Sequence, residues 1–270
     1  MAHSACEHGF GWWTTGRDQA AVDLFIEVKR AVDQGLIPGR FNHVFCSKNA
    51  GEGPHSDAIL RLAQDAGIPA VSLPAMQFMP ELRKQDKDHW RILYHKEVLR
   101  LLTGLQPDFV VLAGYMWVVS PEVCLSIPTI NLHPAEPGGP VGTWQEVVWQ
   151  TIFGHHKTAG AMMHLVTPEL DKGPAITYCS FPITGAAWNG LWEHFEQQLK
   201  QLGKTALQER FGEKLPLFAE IRKETVKREI PLIIHTIKAV CEGKFPIQDI
   251  HKGAAVSAMN LSKEIGFPEK

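Results

Sequence analysis

No run of apolar residues in this sequence reaches the roughly 18 needed for a helix to cross a bilayer. The densest run, residues 109–119, has the length of a strand and is interrupted by Gly114. Residues 1–8 lack the apolar stretch of a secretory signal. The expectation is a cytoplasmic protein with no membrane partner. An excess of one charge sign is also missing: 27 Lys and Arg stand against 29 Asp and Glu, a net −2. That balance argues against a broad nucleic-acid footprint but allows a small basic pocket. Cysteine is scarce and irregularly placed. Cys6, Cys46, Cys124, Cys179 and Cys241 contain no CxxC pair and are odd in number, which fits reduced thiols and not a disulfide framework. There is no internal repeat and no low-complexity tract.

What is present is globular: 270 residues, 44% hydrophobic and 21% charged, enough for one large domain or two small ones. Short Val-, Ile- and Phe-rich runs at residues 41–47, 70–73, 108–113 and 129–132 read as strands, with a weaker first strand at 9–15. Between them, Ala21, Leu24, Phe25, Val28, Ala31 and Val32 repeat at helical spacing, as do Trp90, Leu93, Tyr94, Val98, Leu101 and Leu102. Such alternation predicts a doubly wound, mostly parallel α/β sheet. Residues 143–153 then read as a helix. Runs at 159–166 and 175–183 follow, close enough in sequence to form an antiparallel pair. The remainder is helical, with apolar faces on Trp188, Trp192, Phe195, Leu199 and Leu202 and on Ile230, Ile233, Ile234, Ile237 and Cys241. From residue 247 the pattern is ambiguous. No linker is evident, so residues 1–270 are read as a single catalytic domain, with a core at about 8–185 and a helical part at about 186–270.

Gly11 and Gly16 are spaced as in a phosphate loop, but Arg17 and Asp18 stand where a Walker loop needs Lys and Ser or Thr. The dinucleotide fingerprint fails too, because Thr14 occupies a glycine position. A strand-to-helix turn is the plain reading. Backbone N–H groups at the helix start, near Arg17, are the candidates for holding one anionic group.

The segment of chemical interest is Asn131, Leu132, His133 and Pro134. On a strand, residues two apart leave on the same side, so Asn131 and His133 face one way at the carboxyl end, where open α/β sheets bind ligands. An amide and an imidazole there suit an oxyanion site. An imidazole kept charged near neutrality needs an anion close by. Asp171, in a tight Glu169–Pro174 turn, is the candidate. Taken alone, Asn-x-His is more often a packing feature, and Asp-Lys-Gly an ordinary turn.

Three segments together move that balance. Residues 109–121, then Asn131 to Pro134, then residues 160–174 ending in Leu170, Asp171, Lys172, Gly173 and Pro174, resemble the folate-dependent formyltransferases. The resemblance covers roughly residues 41–185 and is strongest over 108–183. It implies a doubly wound fold and 10-formyltetrahydrofolate as co-substrate, with no metal. It also implies a small-molecule amine as acceptor, glycinamide ribonucleotide in the branch most similar to this chain. Asn131, His133 and Asp171 fall on the family's catalytic residues, and His164 on a histidine beside them. The pterin would lie against Met116, Trp117, Val118 and Val119 and against Thr167, Glu169 and Leu170. A homodimer is compatible with this reading.

The departures concern the acceptor. Where the family has a Gly-Asn-Gly-Ser-Asn type of phosphate loop, this chain has Thr14, Thr15, Gly16, Arg17 and Asp18. Thr15, Gly16 and Arg17 remain the candidates for binding it. Glu136 puts a carboxylate where the family has none. Insertions at about 81–89 and 189–214 would reshape the entrance, and the Gly/Pro-rich residues 137–142 have the composition of a lid. An acceptor such as an amino sugar, or water in a formyltetrahydrofolate hydrolase, is the alternative.

Other candidates read more plainly. His3, Cys6 and His8 are weak metal ligands in a terminal segment. Trp12 and Trp13 read as core before they read as a stacking wall. His155 and His156 read as a helix end. Glu193, Glu196 and Lys200 read as a solvated helix face.

Overall fold

The computed structural model describes residues 8–265. The chain divides into two compact units. Among the described residues, the first comprises 8–132, His164–Pro174 and Ile233–Ser257; the second comprises His133–Met163, Ala175–Leu232 and 258–265.

In the first unit, β1 (His8–Thr14), β2 (Gly39–Cys46), β3 (Ala70–Ser72), β4 (Phe109–Leu112) and β5 (Thr129–His133, whose last residue opens the second unit) lie in the order β3-β2-β1-β4-β5. All four pairings are parallel. Helices α1 (Gln19–Asp33), α2 (Pro54–Asp65), α3 (Pro80–Gln85), α4 (Lys87–Leu101) and α5 (Pro121–Ser126) connect them. Strand alternation sends the neighbouring indoles to opposite faces. Trp12 meets Phe25 of α1, with ring centroids 6.0 Å apart. Trp13 packs with Trp90, Tyr94 and Val98 of α4 and Val123 of α5. Both indoles are fully buried, so they serve the core. The sheet is therefore doubly wound, as its alternating pattern predicts.

Glycine is needed where β1 lies beside β2. A Cβ on Gly11 would lie 2.7 Å from the His43 ring, beside a register shift between Phe10 and Gly11. His43 Nε2 accepts from Trp13 Nε1 at 3.0 Å, and burial pushes its pKa down to about 4. On the α4 side, His95 Nδ1 donates to Arg91 O at 2.9 Å, which leaves Nε2 to accept from Tyr115 Oη at 3.0 Å. Burial brings its pKa to about 4 as well.

The second unit holds α6 (Trp144–Phe153), β6 (Thr158–Leu165), β7 (Ala175–Pro182), α7 (Ala186–Phe211), the first part of α8 (Pro216–Cys241) and β8 (Met259–Asn260). Bonds from Ile183 N to Lys157 O (2.9 Å) and from Leu165 N to Pro174 O (3.0 Å) make β6 and β7 an antiparallel hairpin. The hairpin's tip, His164–Pro174, belongs to the first unit, where Val166 N bonds Thr129 O at 2.7 Å. The second unit's core gathers Val148, Ile152, Phe181, Phe195, Leu207 and Phe218.

Several local expectations are corrected. The first helix starts at Gln19, not near Arg17, because Asp18 caps it by accepting from Ala21 N. The helical remainder is borne out in α8, which runs from Pro216 with Pro231 inside it. The ambiguous end contains α9 (Ile247–His251) and β8, which pairs with β7 in parallel. His155 and His156 do close α6, but through backbone bonds: His155 N to Ile152 O at 3.0 Å and His156 N to Thr151 O at 3.1 Å, with His155 at φ 49°. Among the described residues no helix is long and apolar enough to cross a membrane.

Candidate active site

In the first unit, β1 and β4 are neighbours whose following connections leave in opposite directions, the place where doubly wound sheets open a ligand crevice. Hydroxyls bind the strand ends together there. Thr15 Oγ1 accepts from Ser47 Oγ at 2.9 Å and from Met116 N at 3.0 Å. Trp117 Nε1 donates to Ser47 Oγ at 3.2 Å. Gly16 sits at φ 55°, and a Cβ on it would come within 2.6 Å of Ser56 Cα at the start of α2. Thr15 and Gly16 thus shape the loop. Arg17 is exposed, ion-paired with Asp18 at 2.9 Å, and reaches Met116 Sδ at 3.4 Å. Of the expected ring-binding residues, Met116 and Val118 are exposed, Trp117 is half-buried and Val119 is buried in the core.

Close by in the same unit lie Asn131, His164 and Asp171. His164 Nδ1 is 3.0 Å from Leu165 O; a carbonyl only accepts, so Nδ1 carries the proton. Its Nε2 lies 3.4 Å from Asn131 Nδ2 and 3.8 Å from Asp171 Oδ1. Asp171 therefore has an imidazole beside it, that of His164, a pairing the motif spacing alone did not indicate. The turn that presents it is sterically specified. Asp171 adopts φ 55°, and a Cβ on Gly173 would fall 1.6 Å from Leu165 O. Thr167 Oγ1 donates to Glu169 O at 3.0 Å, and Leu170 is exposed at the tip.

In the second unit, buried His133 sets its Nε2 2.9 Å from Pro140 O, so Nε2–H is the donor. Glu136 Oε2 accepts from Thr158 Oγ1 at 2.7 Å. A small cavity of about 20 Å³, lined among others by Glu136, Pro140, His156 and Thr158, lies beneath this loop and has room for about one water.

Two other expectations are placed. His3 and Cys6 lie outside the described residues. His8 Nδ1 is 3.5 Å from Asp108 Oδ2, and no group of three metal-ligating side chains occurs among the described residues. Cys46, Cys124, Cys179 and Cys241 are free and buried, with their thiol pKa values raised by burial.

A family model described as "Formyl transferase" matches residues 39–210. Phosphoribosylglycinamide formyltransferase of Schizosaccharomyces pombe is 35% identical over 161 residues, covering 55% of this chain and 72% of that protein. The solved phosphoribosylglycinamide formyltransferase of Anaplasma phagocytophilum superposes with a TM-score of 0.58 at 19% identity, over 94% of this chain and 98% of the other. A formyltetrahydrofolate deformylase from Burkholderia mallei gives 0.55 at 19% identity, over 90% and 68%. At those identities the two structures establish the shared fold alone.

Proposed function

The chain belongs to the formyl transferase family, and we propose that it moves a formyl group from 10-formyltetrahydrofolate to the amine of glycinamide ribonucleotide, the whole chain acting as one catalytic domain. The observation that carries the choice of acceptor is the name and extent of the fission-yeast relative, of which this chain covers 72% at 35% identity.

In this reading the neutral amine attacks the formyl carbon, and negative charge develops on the formyl oxygen. Asn131 supplies an amide N–H to that oxygen, and His133, two residues on along β5 with its Nε2–H held by Pro140 O, adds a second donor when its other ring nitrogen also carries a proton. A preorganised donor of this kind contributes about 3 kcal/mol to the transition state. The bond between the formyl carbon and folate N10 then breaks, and N10 takes up a proton. Asp171 collects the proton lost by the amine, directly or through a water. The His164 Nε2, with its ring proton on Nδ1, accepts from the Asn131 amide and orients it. No step calls for a metal.

The test is to mix the protein with 10-formyltetrahydrofolate, with and without glycinamide ribonucleotide and a panel of other amines, and to follow the folate product by absorbance. Product formed with glycinamide ribonucleotide alone is the expected result. Product formed best with another amine overturns the acceptor. Product formed without any amine overturns the transferase in favour of a deformylase.

A further inference from the structure

In the second unit, residues 134–142 join β5 to α6. Pro134, Pro137 and Pro140 within them have a fixed φ and no N–H to give. The segment is tied at both ends. Near β5, Gly139 N donates to Glu136 O at 2.9 Å and closes a tight turn. The Glu136 side chain crosses to β6, where its Oε2 accepts from Thr158 Oγ1 at 2.7 Å. Gly160 makes that crossing possible. A Cβ there would lie 2.8 Å from Glu136 Cγ and 2.1 Å from Cys179 O.

At the far end, Gln150 of α6 donates through Nε2 to Val141 O at 2.8 Å. Thr143 then starts α6 with a reciprocal cap, its N donating to Glu146 Oε2 at 2.7 Å. Between these two ties stands Pro140, whose carbonyl accepts from His133 Nε2 at 2.9 Å.

We propose that Glu136 is a positioning residue. Its bond to Thr158 across Gly160 holds residues 137–142 as a fixed strut, not a lid. The Pro140 carbonyl of that strut holds the His133 ring with Nε2 protonated, so that Nδ1 is the nitrogen offered to the formyl oxygen. The catalytic half of this inference rests on the formyltransferase reading, and the structural half stands without it. The physical reason is entropic. Two glycines, Gly138 at φ 77° and Gly139, make the loop costly to order. A carbonyl on such a loop orients an imidazole in advance only if the loop is already held. A carboxylate accepting from a hydroxyl is charge-assisted and stronger than its neutral counterpart. It acts here one tight turn away from Pro140. The carboxylate at position 136 is one of the chain's departures from the family, so the strut is this chain's own feature.

The experiment compares wild-type protein with Glu136→Ala, Glu136→Gln and Thr158→Val. It reads steady-state kinetics, hydrogen exchange at the amides of Gly138, Gly139 and Val141, and the ring-nitrogen shifts of isotope-labelled His133. Glu136→Ala and Thr158→Val break the bond from opposite sides, so either serves if the other fails to fold. Each is expected to speed loop exchange about tenfold and to turn His133 from one tautomer into a mixture. Each lowers kcat about tenfold, with KM for both substrates within about twofold of wild type. Glu136→Gln keeps an acceptor oxygen and recovers most of all three effects. The double variant, Glu136→Ala with Thr158→Val, is no worse than either single one. Unchanged exchange and tautomer in Glu136→Ala and Thr158→Val overturn the strut. A mixed tautomer with wild-type kcat overturns the positioning role, and so do losses that add in the double variant. If wild-type protein moves no formyl group, the transferase reading fails, and exchange and tautomer still decide the strut.

Discussion

Asp171 Oδ1 lies 3.8 Å from His164 Nε2, and Asp171 reaches that position from a left-handed backbone with φ 55°. Asp and Asn tolerate this conformation better than other side chains. Asp171→Asn is therefore expected to keep the turn and remove only the charge. Turnover should fall by about a hundredfold or more while the melting temperature stays within a few degrees of wild type. Steady-state kinetics and a thermal melt check both parts, and near-wild-type turnover would remove Asp171 from the proton-transfer role.

Gly173→Ala tests the same turn from the other direction. The added methyl would overlap Leu165 O, which lies 1.6 Å from the ideal Cβ position, so the hairpin tip must deform. A loss of about 2 kcal/mol or more is expected, read from chemical denaturation. Unchanged stability would mean that the tip relaxes freely.

Asn131 is half-buried, with its amide 3.4 Å from His164 Nε2. Asn131→Ala removes one donor from the developing oxyanion and little packing. The expected outcome is a drop in kcat of about a hundredfold, with a smaller change in KM for the folate. A change confined to KM would reassign Asn131 to substrate binding.

Stability should decline toward acid. His43 and His95 have folded pKa values of about 4 against 6.5 in the unfolded chain, because burial disfavours the imidazolium. The unfolded state therefore binds more protons in this window. The stabilisation is complete above pH 6.5 and is lost as pH falls toward 4, to the extent of about 3 kcal/mol for each histidine. Urea unfolding at several pH values between 7 and 4.5 reads the slope. His95→Gln, which preserves a polar partner for Tyr115, should flatten it, and an unchanged slope would show that His95 does not titrate in this range.

Much of the fold was legible in the chain. The strands have period-two or fully apolar runs, and the helices repeat their apolar positions as the buried faces of α1 and α4 do, with Phe25 and Val28 in one and Trp90 and Tyr94 in the other. The short β8 was not legible, since two residues carry no periodicity and Met259 and Asn260 pair only because β7 is there to receive them. Pro231, a residue type that usually ends helices, lies inside α8.

For the candidate site, residue types and spacing offered Asn131, His133 and Asp171 as candidates, and it was the resemblance of three segments to a family that raised them above packing and turn residues. Three-dimensional packing alone decided what stands beside each. Asp171 and His164 are brought together by a turn whose geometry depends on Gly173, and Thr15 became a joint between strand ends through Ser47 and Met116. The bond between Glu136 and Thr158 joins residues 22 positions apart and arises only because β6 returns beside the loop and Gly160 leaves the carboxylate room to cross. Periodicity along the chain encodes which face a residue takes, whereas partners across the sheet are chosen by strand order and by the space that glycines leave open.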